Sequence, residues 1–403
     1  MALHVAMVTS WAPRWCGIAI YAAELCAALQ RAGMRVSLVA HTDAAIGGVK
    51  AVIDQADPGW PERLEQAVER LDPDVVHIQH EFGLFATPLP TGEFSFAPED
   101  AFRLAVPLFR WQIRRRPVVV TYHSVFTHLT HPEAVYYDHM MSLAAANIVH
   151  EPIQKTHLPY NLGRVPDNVF VVPHGAGRER PPAPARRQVR HEIGVGERAV
   201  AVGMMGWLEP NKGFDRVLRL WPHVSRECPG AVLVLAGEAR PGSPAGPRVR
   251  QDYLSLARES PAAQSIRVVL GTFSPDRYLA ILSAFDLMVL PYTYATQSGN
   301  LAHAYQVGLP VVVSAIEGLK SSVEASRAGL LVRDDEELEQ AIIRLIRDAS
   351  LRRRLSRAAR RYVTGGIAWD RVARRHLDIY RWAQRRACDP ARYAHYAARE
   401  VHV

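Results

Sequence analysis

Cysteine is scarce and scattered in this chain. Its four cysteines, Cys16, Cys26, Cys228 and Cys388, form no CxxC pair and are too few for a disulfide framework, which points to a reducing compartment. No cofactor is expected, and no metal: the one tempting cluster, His77, His80 and Glu81 in "HIQHEFGLF", has imidazoles at i and i+3 along an extended strand end, where they point apart. No run reaches the roughly 20 apolar residues that span a bilayer. The opening "MALHVAMVTSWAPRWCG" lacks the basic segment that precedes the apolar stretch of a secretory signal, so a cytoplasmic protein is expected.

Acidic residues are in deficit, 40 against 48 Lys and Arg, giving a net charge of +8. That balance attracts anions somewhere, whether nucleotide, lipid headgroup or nucleic acid. The basic residues run together in "RWQIRRRP" (110–117), "ARRQVRHE" (185–192) and "RLIRDASLRRRLSRAARRYV" (344–363). Such runs are usually solvated helix faces. A patch for the anionic inner membrane face is the sharper reading, and no nucleic-acid partner is expected.

What the chain has in quantity is a rhythm. "HVAMVTS", "RVSLVA", "DVVHIQ", "PVVVTYH", "NIVH" and "NVFVVP" are short apolar strands, with helical stretches such as "IAIYAAELCAALQRAG" between them. The rhythm breaks at "GAGRERPPAPARRQ", which reads as a Pro, Gly and Arg-rich linker. It resumes with "AVAVGMM", "AVLVLAG", "IRVVLG", "FDLMVLP", "PVVVSA" and "GLLV", alternating with helices around 214–228, 249–259, 275–284, 300–307, 320–327 and 335–347. This predicts an α/β protein of two doubly wound, Rossmann-like domains, with parallel sheets covered on both faces. The boundaries expected are 1–176, 177–365 and a C-terminal helical segment 366–403. Ligands of such domains sit at the carboxyl ends of the strands, so a cleft between the two domains is the expected site.

Two turns at such strand ends stand out. In "GMMGWLEPNKGFDRVL" Lys212 precedes a helix whose free N–H groups and partial positive charge favour an anion; a plain surface lysine would look the same. In "PYTYATQSGNLAHAYQVGLPVVVS" Thr296, Gln297, Ser298 and Gly299 open another helix, where a Ser-Gly would ordinarily be only a cap. Two such turns on one sheet edge suggest a diphosphate held between them.

With "VLVLAGE", "VVLGTFSPDRYLAILSAFDLMVLP" and "GLLV", these segments resemble the nucleotide-sugar domain of retaining GT-B glycosyltransferases, family 4 in particular. "DVVHIQHEFGLF", "VTYHSVF" and "VVPHG" extend the resemblance over the N-terminal half, so it covers nearly the whole chain. It implies a metal-independent hexosyltransferase that moves a sugar from a nucleoside diphosphate to an acceptor hydroxyl with retention. It implies that Lys212 neutralises the donor diphosphate and that Gln297, Ser298, Gly299 and Asn300 meet the phosphates and sugar. Gly17, Gly206, Trp207 and Glu238 would complete the donor site, Thr272 and Phe273 would flank the base, and His123 would lie near the anomeric centre. Alternation along the strand makes His80 and Glu81 emerge at its end, where with Phe82 they would contact the acceptor, which could be a glycan, a lipid-linked sugar or a small molecule. The final segment from residue 367 resembles the helix that crosses back to the first domain and permits hinge closure.

The departures are specific. The family's arginine in a Gly-Arg-Leu sequence is Trp207 here, and Tyr294 and Ala302 stand where its E-x7-E glutamates belong. Either an "ATQSG"-type loop replaces the first glutamate in an active enzyme, or the protein binds a nucleotide sugar without turning it over. An epimerase of the same fold would need carboxylates in the cleft, for which only Glu81 and Glu238 are roughly placed. The loop 86–100, with Phe94 and Phe96, could be a substrate lid.

Overall fold

The computed structural model describes residues 2–14, 16–44, 47–87, 102–179 and 181–389. Phe94 and Phe96, the proposed lid aromatics, lie outside the described residues. The chain divides into two compact units, Met1–Pro173 together with Trp369–Val403, and His174–Ala368.

The first unit is built on a parallel sheet of β1 (His4–Thr9), β2 (Arg35–His41), β3 (Lys50–Ile53), β4 (Val75–His80), β5 (Val118–Tyr122), β6 (Ala146–Val149) and β7 (Val169–Val171), in the order β3-β2-β1-β4-β5-β6-β7. The strands β1, β4, β5 and β6 are buried at every residue, because helices cover both faces, and this is why they read as continuous apolar runs. The strand β3 was not expected. It is a four-residue edge strand, half-buried, whose "KAVI" carries little β signal.

The second unit repeats the plan with β8 (Val200–Met205), β9 (Ala231–Gly237), β10 (Ile266–Leu270), β11 (Leu287–Leu290), β12 (Val311–Ser314) and β13 (Gly329–Val332), ordered β10-β9-β8-β11-β12-β13. In each sheet the order reverses beside the first strand, between β1 and β4 and between β8 and β11. These are the switch points where doubly wound sheets open a crevice for ligand.

Two expectations need correction. The presumed linker holds a helix, Ala183–Glu192, which starts where Pro182 and Pro184 are tolerated in a first turn. The basic run within it is not simply a solvated face: Arg190 is buried, donates to the carbonyls of Ala284, Gly196 and Ala199, and pairs with Asp286 at 3.1 Å. The first basic run is likewise tied down. Arg110 and Arg114 reach Glu65 at 2.6 and 2.7 Å, and Arg116 reaches Glu69 at 3.2 Å. Burial pushes the Glu65 carboxyl up, but the bonds from Arg110 and Arg114 outweigh it and hold the group below its ordinary value.

The helix Trp369–Cys388 packs against Gly17–Arg31 in the first unit, and its Tyr380 hydroxyl lies 2.7 Å from His77 Nδ1.

Candidate functional site

In the second unit the two turns singled out from sequence flank the switch point. After β8 the chain makes a short 3-10 turn, Pro210–Lys212, and passes through Gly213 at φ +60° into the helix Phe214–Glu227. After β11 it runs through Pro291 and Tyr292 to Ser298, which caps the helix Gly299–Val307 by accepting from the Leu301 N–H at 3.3 Å.

The turns are joined directly. The Thr293 N–H donates to the Asn211 carbonyl at 3.0 Å, and Asn211 Nδ2 donates to the Tyr294 carbonyl at 3.3 Å. A β-carbon on Gly213 would stand 2.2 Å from the Pro291 carbonyl oxygen, so only glycine permits this approach, as well as the positive φ.

Lys212 Nζ sits 4.0 Å over the Tyr292 ring, a cation–π contact that holds the ammonium at the junction of the two turns. Among the described residues it pairs with no carboxylate. Gln297 Oε1 is buried without a hydrogen-bond partner in the same loop. Ser298 Oγ, having accepted one bond, keeps its O–H to donate. A cation, a hydroxyl and the N-terminal openings of two helices thus lie on one edge of the sheet, a combination suited to a charged, oxygen-rich group.

Asn300 has a different surrounding from the one the family resemblance implies. Its Nδ2 donates to the Met205 carbonyl at 2.8 Å and to the Tyr292 hydroxyl at 3.0 Å, and its Oδ1 accepts from the Tyr278 hydroxyl at 2.8 Å. It is a structural hub tying β8 to the second turn. Beside it, Gly206 leads from β8, and a β-carbon on Gly237 would stand 1.9 Å from the Gly206 carbonyl oxygen, which keeps the ends of β8 and β9 pressed together. Trp207 follows at half-buried depth.

Glu238 is engaged: Oε1 accepts from the Ala239 N–H at 2.9 Å and lies 2.5 Å from Arg250 Nε. Thr272 is exposed and Phe273 half-buried at the end of β10. Gly299 adjoins His174, whose Nε2 would stand 3.0 Å from an added β-carbon.

In the first unit, Gly17 begins its helix with open space where a side chain would project, and Cys16 caps it, Sγ accepting from the Ala19 N–H at 3.3 Å. His123, at the end of β5, is buried. Its Nε2 is 3.0 Å from Gln79 Oε1 and its Nδ1 3.3 Å from His150 Nε2, while His150 Nδ1 reaches the Val172 carbonyl at 2.9 Å. Tyr21 meets the His123 ring edge-on at 4.9 Å. This chain holds the imidazole in one orientation. Gln79 Nε2 lies 3.2 Å from His77 Nε2, and burial and the neighbouring His376 push the His77 imidazole well below its ordinary value.

His80 does not emerge at the strand end as expected. Its relative exposure is 1%, its Nε2 is 2.6 Å from the Tyr136 hydroxyl and its ring stacks on Phe85. Burial lowers its pKa to about 3, so it is a neutral core residue. Glu81 and Phe82 are half-buried beside it. Asn211, Tyr292 and Gly237 were not singled out from sequence. The only sequence signal was their position next to strand ends.

Residues 198–348 match the family model described as "Glycosyl transferases group 1". A glycogen synthase from Mycobacterium tuberculosis is 30% identical over 184 residues, 45% of this chain and 42% of that protein. A D-inositol 3-phosphate glycosyltransferase from Nocardia farcinica is 29% identical over 242 residues, 58% of this chain and 51% of that protein. The chain thus spans about half the length of the curated relatives it matches. Among solved structures, Anabaena HepE in complex with UDP superposes with a TM-score of 0.72 at 17% identity, covering 93% of this chain and 98% of HepE. Sucrose-phosphate synthase from Thermosynechococcus elongatus gives 0.73 at 19%, covering 94% and 98%. The fold of the two units is that of the GT-B glycosyltransferases.

Proposed function

We propose that this protein is a glycosyltransferase of the retaining, family 4 type, which takes a sugar from a nucleoside diphosphate and passes it to an acceptor hydroxyl. The observation that carries this reading is the pair of mutually bonded turns at the switch point of the second sheet, presenting Lys212 with no acid partner among the described residues. The match of residues 198–348 to a glycosyltransferase family supports it, as does the UDP held by HepE.

In this reading, cleavage of the bond between the anomeric carbon and the diphosphate leaves an electron pair on the departing oxygen. Lys212, the Ser298 hydroxyl and N–H groups at the openings of the two helices stabilise that charge, without a metal. Preorganised donors of this kind contribute about 10²–10³ in rate each. The acceptor oxygen bonds the same face of the sugar, and its proton passes to the departing phosphate oxygen. His123 is assigned to donor positioning, with Gly17 beside the sugar. Glu81 and Phe82 are assigned to the acceptor; the closed surroundings of His80 make it a support for them. An epimerase is disfavoured because Glu238 is bound to Arg250.

Peripheral membrane contact is assigned to the helix Ala105–Ile113, where Val106, Phe109 and Ile113 are exposed at i, i+3 and i+7 beside Arg115. Among the described residues no helix is long and apolar enough to cross a membrane.

The deciding experiment is thermal stabilisation by UDP, GDP, ADP, dTDP and their sugars, since a ligand bound only by the folded state raises Tm. One base giving a shift, enlarged by one sugar, names the donor and directs the search for product. A shift with no product for any acceptor would make the protein a binding protein, and no shift at all would refute the donor site.

A further inference from the structure

The third basic run, which the proposed reaction does not use, borders an open cavity of about 740 Å³ in the second unit. It opens where the chain enters β11 and β12, past Asp286 and Gly308, at the opposite sheet edge from the donor turns. Its main wall is the helix Ala349–Tyr362. Leu351, Leu355 and Ala358 turn one side of that helix into the core. The side lining the cavity carries Arg352, Arg353, Ser356, Arg357 and Arg360, at helical spacing.

The charges do not balance. With Arg186 on the facing side, five arginines line the cavity against one acid among the described residues, Asp286. Asp286 is already shared between Arg186 at 2.7 Å and the buried Arg190 at 3.1 Å. Arg352 caps the preceding helix, donating to the Leu345 and Ile346 carbonyls at 2.5 and 2.6 Å. Arg360 donates to Ser356 Oγ at 3.2 Å, and its Nε lies 2.7 Å from where a β-carbon on Gly308 would stand. Arg353 and Arg357 are exposed, and among the described residues neither has an acidic partner.

Like charges gathered one or two helical turns apart repel, and a solvated helix face would have no reason to put them all around a concavity. Guanidinium forks match phosphate oxygens bidentately. The volume is that of a small-molecule site, and Phe285, Val307 and Leu309 give it an apolar floor for the body of a ligand.

We propose that this cavity is a second anion site, which binds a small phosphate-bearing metabolite through Arg353 and Arg357. It is separate from the donor turns, and it does not depend on the glycosyltransferase reading.

The test is calorimetric titration of the full chain carrying Lys212→Ala, so that the donor turns do not compete. The probes are inorganic phosphate, tripolyphosphate and glucose 6-phosphate, with phosphatidylglycerol and phosphatidylcholine vesicles as separate arms. The expected result is saturable binding of at least one soluble probe, as tight as in the parent protein and at least tenfold weaker in R353E/R357E. That double variant changes only exposed side chains, and an unchanged Tm will show that it folds. R353K/R357K, which keeps the charge but lacks the fork, should bind with an affinity between those of the parent and R353E/R357E. Equal binding by R353E/R357E, loss of binding on Lys212→Ala alone, or no saturable binding of any soluble probe would each overturn the proposal. Binding to phosphatidylglycerol vesicles alone would reassign the arginines to a membrane surface and overturn it too.

Discussion

Removing the Lys212 ammonium tests the donor site at a single atom. In the free protein Nζ rests 4.0 Å above the Tyr292 ring, a contact worth about 0.5–1 kcal/mol. An ammonium has three donors, so it can stay over the ring while one N–H turns to a phosphate oxygen. Lys212→Ala then loses a charge-assisted hydrogen bond on binding, roughly 1.5–3 kcal/mol, or about a 10- to 100-fold rise in Kd. If the ammonium must leave the ring to reach the ligand, the loss shrinks by about 0.5–1 kcal/mol, and Tyr292→Leu would then strengthen binding. The assay is calorimetric titration with whichever nucleoside diphosphate stabilises the protein, alongside the matching nucleoside. We expect the diphosphate to weaken and the nucleoside to stay constant. Unchanged diphosphate affinity would refute the assignment, and equal weakening of both ligands would show that the variant had only collapsed the turn.

Gly213→Ala forces a β-carbon against the Pro291 carbonyl at φ +60°; the backbone alone costs about 1–2 kcal/mol. It should cut diphosphate affinity severely while circular dichroism shows a folded protein, and retained affinity would mean the two turns need not meet. His123→Ala should lower turnover by about 10²-fold, the lower range for a positioned group, and spare diphosphate Kd; a matching loss in both would end that division of roles. Chelation by EDTA should leave turnover unchanged, and restoration of lost activity by added Mg²⁺ or Mn²⁺ would defeat the metal-free mechanism. Burial lowers the pKa of His80 to about 3 and of His376 to about 4, and lowers that of His77 well below its ordinary value. Below the unfolded value near 6.5 the unfolded chain takes up protons that these folded residues refuse, so stability falls as pH drops from about 6.5 toward those values. Each contributes about 1.4 kcal/mol per pH unit. Urea midpoints between pH 7.5 and 5 should fall accordingly, and His376→Leu should flatten the slope; an unaltered slope would contradict the assignment.

The strands of both sheets were legible because parallel sheets covered on both faces demand uninterrupted apolar runs. The edge strand β3 escaped because an edge makes no such demand. The helix Ala183–Glu192 was legible only as a basic, solvated face beside a presumed linker, because its prolines and arginines have the composition of one, and only the distant Asp286 reveals that the arginines hold structure. The two turns were visible through Lys212 and Ser298 as chemistry at strand ends. Their mutual bonding was not visible, since Asn211 and Tyr292 act across some 80 residues of chain. His80 shows the reverse failure: alternation located it on the strand, but the Tyr136 and Phe85 that enclose it come from elsewhere.

The bridge between Ala176 and Ala368, with the Ala176 N–H donating to the Ile367 carbonyl at 2.8 Å, places the last residue of the second unit beside its third. That unit is therefore an insert, spliced into a host chain that resumes at Trp369. An insert with adjoining ends can be excised, transplanted or reopened elsewhere without stretching its host. Residues 174–368 are thus a natural cassette: new ends could be cut at an exposed loop and the old ones sealed by a short peptide.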